Sequence, residues 1–177
     1  MNNLRFRYFA SSDIAYRLGF SVSSSTTKDI TANQGPNSDI DLEDKTSSFG
    51  FSINPGIEKH FEGTDRLSPY VGAVLNFSTV STTRTQESLN GSDVVETEIK
   101  NPNDNDATNI GLNLVLGADW YFSKHIYMGT EVGFGFLSSS IKDKEQTSGG
   151  TTVTSANGSE FNLGPNFQSA IRLGFLF

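Results

Sequence analysis

The chain has 177 residues, of which only 35% are apolar, a net charge of −7 and no cysteine. That length suits one domain, the acidic balance argues against nucleic acid, which requires a basic face, and the missing thiols exclude disulfides and thiolate chemistry. No run approaches the ~18–20 continuous apolar residues of a membrane helix, but a transmembrane β-barrel hides its apolar half at alternate positions and leaves no such run.

Seven segments alternate with period two, the pattern of strands with two unlike faces. The first sets Leu4, Phe6 and Tyr8 against Arg5 and Arg7. The second sets Ile14, Tyr16, Leu18, Phe20 and Val22 against Ala15, Arg17, Gly19, Ser21 and Ser23. In the third, from Phe49 to Phe61, Phe49, Phe51, Ile53 and Ile57 oppose Gly50, Ser52, Asn54, Gly56, Glu58 and His60. The fourth sets Val71, Ala73, Leu75 and Phe77 against Tyr70, Gly72, Val74, Asn76 and Ser78. The fifth is the most regular: Ile110, Leu112, Leu114, Leu116, Ala118, Trp120 and Phe122 oppose Asn109, Gly111, Asn113, Val115, Gly117, Asp119 and Tyr121. The sixth runs Ile126, Met128, Thr130, Val132, Phe134 and Phe136 against Tyr127, Gly129, Glu131, Gly133 and Gly135. The seventh, from about Leu163 to Phe177, sets Leu163, Phe167, Ile171, Leu173, Phe175 and Phe177 against Gly164, Asn166, Gln168, Ala170, Arg172 and Gly174.

The composition of the polar face decides which solvent the other face meets. It is rich in Gly, Ser and Asn and poor in Lys and Glu, which suits the narrow interior of a small barrel better than an open aqueous surface. The large apolar residues then face lipid, the reverse of a lipocalin-like soluble barrel. Among the few inward charges, Arg17, Glu58, Asp119, Glu131 and Arg172 lie on different strands and carry both signs, so a paired polar network in the lumen is expected. Short connections at Ser11-Ser12-Asp13, Glu62 to Ser68 and Ser123-Lys124-His125 alternate with long polar segments at 24–48, 81–108 and 137–160, which are expected to be loops. Those loops hold the excess acid, with five acids against two bases in the first and six against two in the second. Aromatics near both ends of the segments, among them Phe61, Tyr70, Trp120, Phe122, Phe134 and Phe136, predict two interfacial girdles.

The ending Arg172-Leu173-Gly174-Phe175-Leu176-Phe177, together with Pro69-Tyr70-Val71-Gly72-Ala73 and Leu116-Gly117-Ala118-Asp119-Trp120-Tyr121-Phe122, resembles the small OmpA/OmpX-type barrels. It is most similar to the "outer membrane protein beta-barrel domain" family of Gram-negative bacteria, over essentially the whole chain. The resemblance implies an all-β fold, an antiparallel up-and-down transmembrane β-barrel of the eight-stranded type with seven strands visible, forming one domain over 1–177 in the outer membrane. It also implies short periplasmic turns and long outer loops, and a C-terminal signal, Gly174, Phe175 and Phe177, read by the barrel-assembly machinery during insertion. Counted back from Phe177, the first visible strand descends, so an ascending strand is expected before it. Seven strands also leave two open edges, which in hydrocarbon would cost on the order of tens of kcal/mol. Met1 to Phe9 do not form the apolar region of a signal peptide, so a signal peptide and an eighth strand are expected upstream of Met1. The alternatives are seven strands that close on themselves, or a strand donated by a partner.

Some relatives of this size act enzymatically on lipid A through Ser and His at the outer rim. Here both histidines, His60 and His125, fall at presumed periplasmic turns, no G-x-S-x-G is present, and no catalysis is expected. Asn103-Asp104-Asn105-Asp106 alternates oxygen ligands but lacks the glycine and bidentate glutamate of a calcium loop, so neither a metal site nor a cofactor is expected. The functional expectation is a membrane-anchored structural or interaction protein, with lipid and lipopolysaccharide as surroundings and a protein partner at the acidic loops. A narrow pore for small solutes is the alternative, and a soluble ligand-binding barrel a third reading.

Overall fold

The computed structural model describes residues 4–32, 40–91, 93–166 and 172–175. They form one antiparallel sheet of eleven strands: β1 (Leu4–Phe9), β2 (Ile14–Ala32), β3 (Asp41–His60), β4 (Leu67–Asn90), β5 (Asp93–Lys100), β6 (Ala107–Tyr121), β7 (Ile126–Ile141), β8 (Lys144–Ser148), β9 (Thr151–Ser155), β10 (Ser159–Asn166) and β11 (Arg172–Phe175). Consecutive antiparallel ladders join β1, β2, β3, β4, β6 and β7, and β7 then pairs with both β10 and β11. The described parts of the seventh alternating segment, β10 and β11, thus pair with the same partner. Among the described residues no ladder joins β1 to β10 or β11, so the sheet has two edges there. Phe167, Ile171 and Phe177 lie outside the described residues.

The sheet is strongly curled. Arg17 on β2 and Glu131 on β7 are four strands apart, ~19 Å along a flat sheet at ~4.8 Å per strand, yet their side chains meet at 2.7 Å. Curling encloses one face, and the alternation of the sequence selects which one. On β6, Ile110, Leu114, Leu116 and Trp120 point outward, with Leu114 61% exposed, while Val115 and Asp119 point inward, with Asp119 at 0%. Register carries this parity across the sheet: Ile57, Ala73, Leu114 and Phe134 form one outward row, and Glu58, Gly72, Val115 and Gly133 form one inward row. Among the described residues the buried apolar set shrinks to Ala15, Tyr70, Val74 and Val115, while thirty large hydrophobic side chains lie exposed. A water-soluble domain would leave that surface at great cost; a hydrocarbon solvent inverts the cost.

The three long polar segments are largely strand, where loops are expected from the sequence. β2 and β3 remain paired out to Ala32 and Asp41. β4 leaves β6 after Thr79 and pairs with β5 from Thr83 to Asn90, β5 pairs with β8, and β8 pairs with β9. The turn chemistry explains it. Gly91 takes φ +68 after Asn90, and Gly149 and Gly150 take φ +55 and +79, the left-handed positions that tight hairpin turns require. Ser and Thr on both faces make these strands polar all round, so alternation of hydrophobicity cannot reveal them.

Because the two faces meet different solvents, substitutions should separate them. Leu114→Arg should cost about 2–4 kcal/mol in denaturant titrations in vesicles, and a polar change at inward-facing Asn113 clearly less; equal costs would contradict the assignment of the faces.

Candidate functional site

The enclosed face carries the chemistry. Its bulky polar residues lie in two adjoining rows near the turn end, His60–Tyr70–Gly117–Glu131 and Ser68–Asp119–Gly129–Arg172. Glycines make this crowding feasible. A Cβ at Gly117 would stand 2.4 Å from the Tyr70 ring, and one at Gly129 would stand 2.2 Å from Asp119 Oδ1 and 2.9 Å from Arg172 Nη2. Each large side chain therefore lies over a neighbour that has none.

Glu131 is the hub. Its Oε2 accepts from Arg17 Nη1 at 2.7 Å, from the Tyr70 hydroxyl at 2.8 Å, and more distantly from Arg172 and Arg5 at 3.3 and 3.4 Å. Its Oε1 accepts from Arg17 Nη2 at 3.2 Å. Glu58 lies 3.0 Å from Arg17 Nη1 and 2.7 Å from Arg7 Nε. Asp119 accepts Arg7 on Oδ2 at 2.5 Å and Arg172 on Oδ1 at 3.3 Å, and Arg172 Nη2 also donates to the Tyr70 hydroxyl. The Arg7 guanidinium lies 5.1 Å from the centroid of the Tyr70 ring, which adds a cation–π contact. Tyr70, Glu58 and Asp119 are fully buried, and Arg17 and Glu131 nearly so. All five residues expected to form the lumen network thus meet in one cluster.

Arg7, Tyr70 and His60 belong to that cluster as well. Tyr70 is expected on the aromatic girdle but is 0% exposed inside the lumen; its even position on β4 turns it inward, where the phenol serves two charged groups. Phe61, Trp120, Phe122, Phe134 and Phe136 do lie on the exposed surface. His60, expected as an interfacial turn residue, closes the turn end of the lumen between Phe9 and Tyr70, with ring centroids 5.0 and 5.1 Å away. Its Nε2 faces Glu58 Oε2 at 3.2 Å and its Nδ1 faces Ser68 Oγ at 2.9 Å. Gly174 pairs with Tyr127 on β7, and Phe175 is outward and exposed; Phe177 lies outside the described residues.

The chain matches the OmpA-OmpF-like porin family over residues 1–177. The chain belongs to that family. No curated protein and no solved structure matches it. The family is one of outer-membrane β-barrels, and the outward apolar face and inward charges of this porin-family chain are those such a barrel needs.

Outside the hydrocarbon span, ion pairs brace the hairpins. Asp44 and Arg84 join β3 to β4 through a charge-assisted hydrogen bond that holds the Asp44 carboxyl below its usual range. Lys28 meets Glu43 at 2.6 Å and Lys100 meets Glu145 at 2.8 Å. The acidic run 103–106 is part of this bracing. Asp106 is buried and accepts the Thr82 amide at 2.5 Å, while Asp104 contacts Asn157 at 3.3 Å and Lys144 at 3.7 Å. Among the described residues no group of three or more His, Cys, Asp or Glu side chains is placed to hold a metal ion.

The hub predicts an order of mutational costs. Glu131→Gln removes a charge from a buried network and should cost about 3–5 kcal/mol, whereas Tyr70→Phe removes one hydroxyl and should cost about 1–3 kcal/mol. Urea unfolding of both variants in detergent checks this, and a Tyr70→Phe loss equal to or above that of Glu131→Gln would displace Glu131 as the hub.

Proposed function

We propose that this protein is a surface anchor: an outer-membrane barrel of the eight-stranded type that presents a folded, acidic β-sheet for contact with partners. The length of the paired strands carries the reading. β4 has 24 residues, ~80 Å at ~3.3 Å per residue, against the ~9–11 residues that cross a bilayer. The surplus of β2, β3 and β4 continues as paired sheet with β5, β8 and β9. β9 ends that sheet; its sequence Thr-Thr-Val-Thr-Ser is uncharged, and all five residues are exposed. An edge of this kind templates an extended segment of another chain, and the acidic hairpins around it favour a basic one.

Two further features support the anchor. The buried side chains that fill the turn end of the lumen favour it over the pore, since ions would have to displace paired charges. The outward apolar face favours it over a soluble ligand-binding barrel. We assign the Ser68–His60–Glu58 chain a structural role, because Glu58 already serves two guanidiniums. Eight-strand closure draws support from the edges: Arg7 on β1 and Arg172 on β11 grip opposite oxygens of Asp119, so the two edges face one another across a narrow seam.

Two experiments test the reading. In nanodiscs the protein should bind an extended basic, Thr/Val-rich peptide in a salt-sensitive manner, and Val153→Lys should weaken binding roughly tenfold, ~1.4 kcal/mol. Unchanged binding in that variant, or conductance steps that respond to neutralising Glu131 or Arg172, would favour the pore instead. For closure, cysteines replacing Phe6 and Leu173 should join through a ~10 Å cross-linker and resist direct disulfide formation, because one intervening strand sets the edges ~10 Å apart. A ready disulfide would indicate seven strands closing on themselves.

A further inference from the structure

The outward wall of the barrel is not uniformly bulky. In the row Ile57–Ala73–Leu114–Phe134 the short side chain of Ala73 stands between two large ones. A groove of about 620 Å³ opens there, bordered by Ile57, Val71, Leu114, Leu116, Val132 and Phe134, all of them exposed. Its strands, β3, β4, β6 and β7, are each paired on both sides, so the groove owes nothing to the edges of the sheet. Its volume lies within the ~300–1,000 Å³ of clefts that hold one small molecule, and its lining calls for an apolar occupant.

The turn end of the groove is polar. It reaches Lys59 and Ile14, which face one another across β3 and β2. Lys59 Nζ donates to Asp13 Oδ2, and Asp13 Oδ1 accepts the Ser11 hydroxyl at 2.6 Å. Both charged side chains keep nearly half of their surface open, 48% for Lys59 and 42% for Asp13. Phe61 of the girdle lies two positions beyond Lys59, which sets the pair where headgroups meet hydrocarbon.

An apolar groove that ends in one exposed cation and one exposed anion is complementary to a zwitterionic lipid. The Lys59 ammonium has N–H donors beyond the one given to Asp13, and the Asp13 carboxylate has lone pairs beyond those that accept Lys59 and Ser11. Charge-assisted hydrogen bonds can therefore join a phosphodiester to Lys59 and a primary ammonium to Asp13. An anionic headgroup would meet the Asp13 carboxylate with nothing to offset it, and a quaternary ammonium has no N–H to donate.

We propose that this groove is a fixed site for one phospholipid with a zwitterionic, primary-amine headgroup. An acyl chain fills the space over Ala73, the phosphate meets Lys59 and the ammonium meets Asp13. The short turns of such barrels face the periplasm, so the lipid belongs to that leaflet. The inference rests on the membrane-barrel reading and is independent of what the outer sheet contacts.

Native mass spectrometry tests the proposal on folded barrels released from vesicles of phosphatidylethanolamine, phosphatidylcholine and phosphatidylglycerol, mixed equally with matched acyl chains. One phosphatidylethanolamine should stay bound, preferred roughly tenfold over either competitor. Ala73→Leu, which fills the groove, should lower retention of phosphatidylethanolamine roughly tenfold. Leu75→Ala, outward but beside the groove, should leave it unchanged. Asp13→Asn, which leaves Lys59 without its anion, should turn the preference toward phosphatidylglycerol. A wild-type chain that fails to insert into vesicles would remove the barrel reading and this site with it. An inserted barrel that retains the three lipids equally, retention unaltered in Ala73→Leu, or a dimer that Ala73→Leu dissociates would each overturn the lipid site alone.

Discussion

Arginine can leave water for a narrow protein interior only when carboxylates or other anions go with it, and that requirement organises the rest of this structure. Glu58 comes from β3, Asp119 from β6 and Glu131 from β7, while their cations come from β1, β2 and β11. No strand satisfies its own charge. Each pairing therefore constrains curvature and register together, since a slip of one residue would turn Arg17 or Glu131 toward lipid and leave its partners unpaired inside. The charges specify the shape of the sheet more than they add to its stability.

The exterior follows from the same inversion. With the polar groups inside, the apolar half of every strand must face a solvent that welcomes it, and a bilayer is that solvent. Glycine is the complement of this plan. At Gly117 and Gly129 the missing side chain makes room for Tyr70, Asp119 and Arg172, so the glycines that weaken an ordinary strand here define the volume of the lumen. Beyond the hydrocarbon the constraint changes. Both faces of the hairpins meet water, and cross-strand ion pairs such as Lys28–Glu43 and Arg84–Asp44 replace burial as the source of register.

Much of the spanning sheet was legible in the sequence because lipid and lumen impose opposite demands on neighbouring residues. Alternation marks both the strands and the direction each side chain takes, and Arg17, Glu58, Asp119, Glu131 and Arg172 share one parity for that reason. Tyr70 shares it too. Its place on the inward face of β4 outweighs the girdle that its residue type suggests, and His60, on the inward face of β3, joins the network for the same reason. The outer hairpins were less legible, since strands wetted on both sides carry no alternation. Their signals were the turn dipeptides Asn90-Gly91 and Gly149-Gly150, which mark hairpins through backbone geometry rather than polarity.

By itself the sequence determined that the chain is a set of antiparallel strands with one lipid-compatible face, because a period of two is a local property that each strand writes independently. It also determined which charges lie inside. Only the tertiary structure decided which of them meet, that Glu131 rather than Glu58 is the hub, and that Tyr70 lies within the lumen network. Those outcomes depend on how far the sheet curls, which is set by contacts between strands distant in the chain.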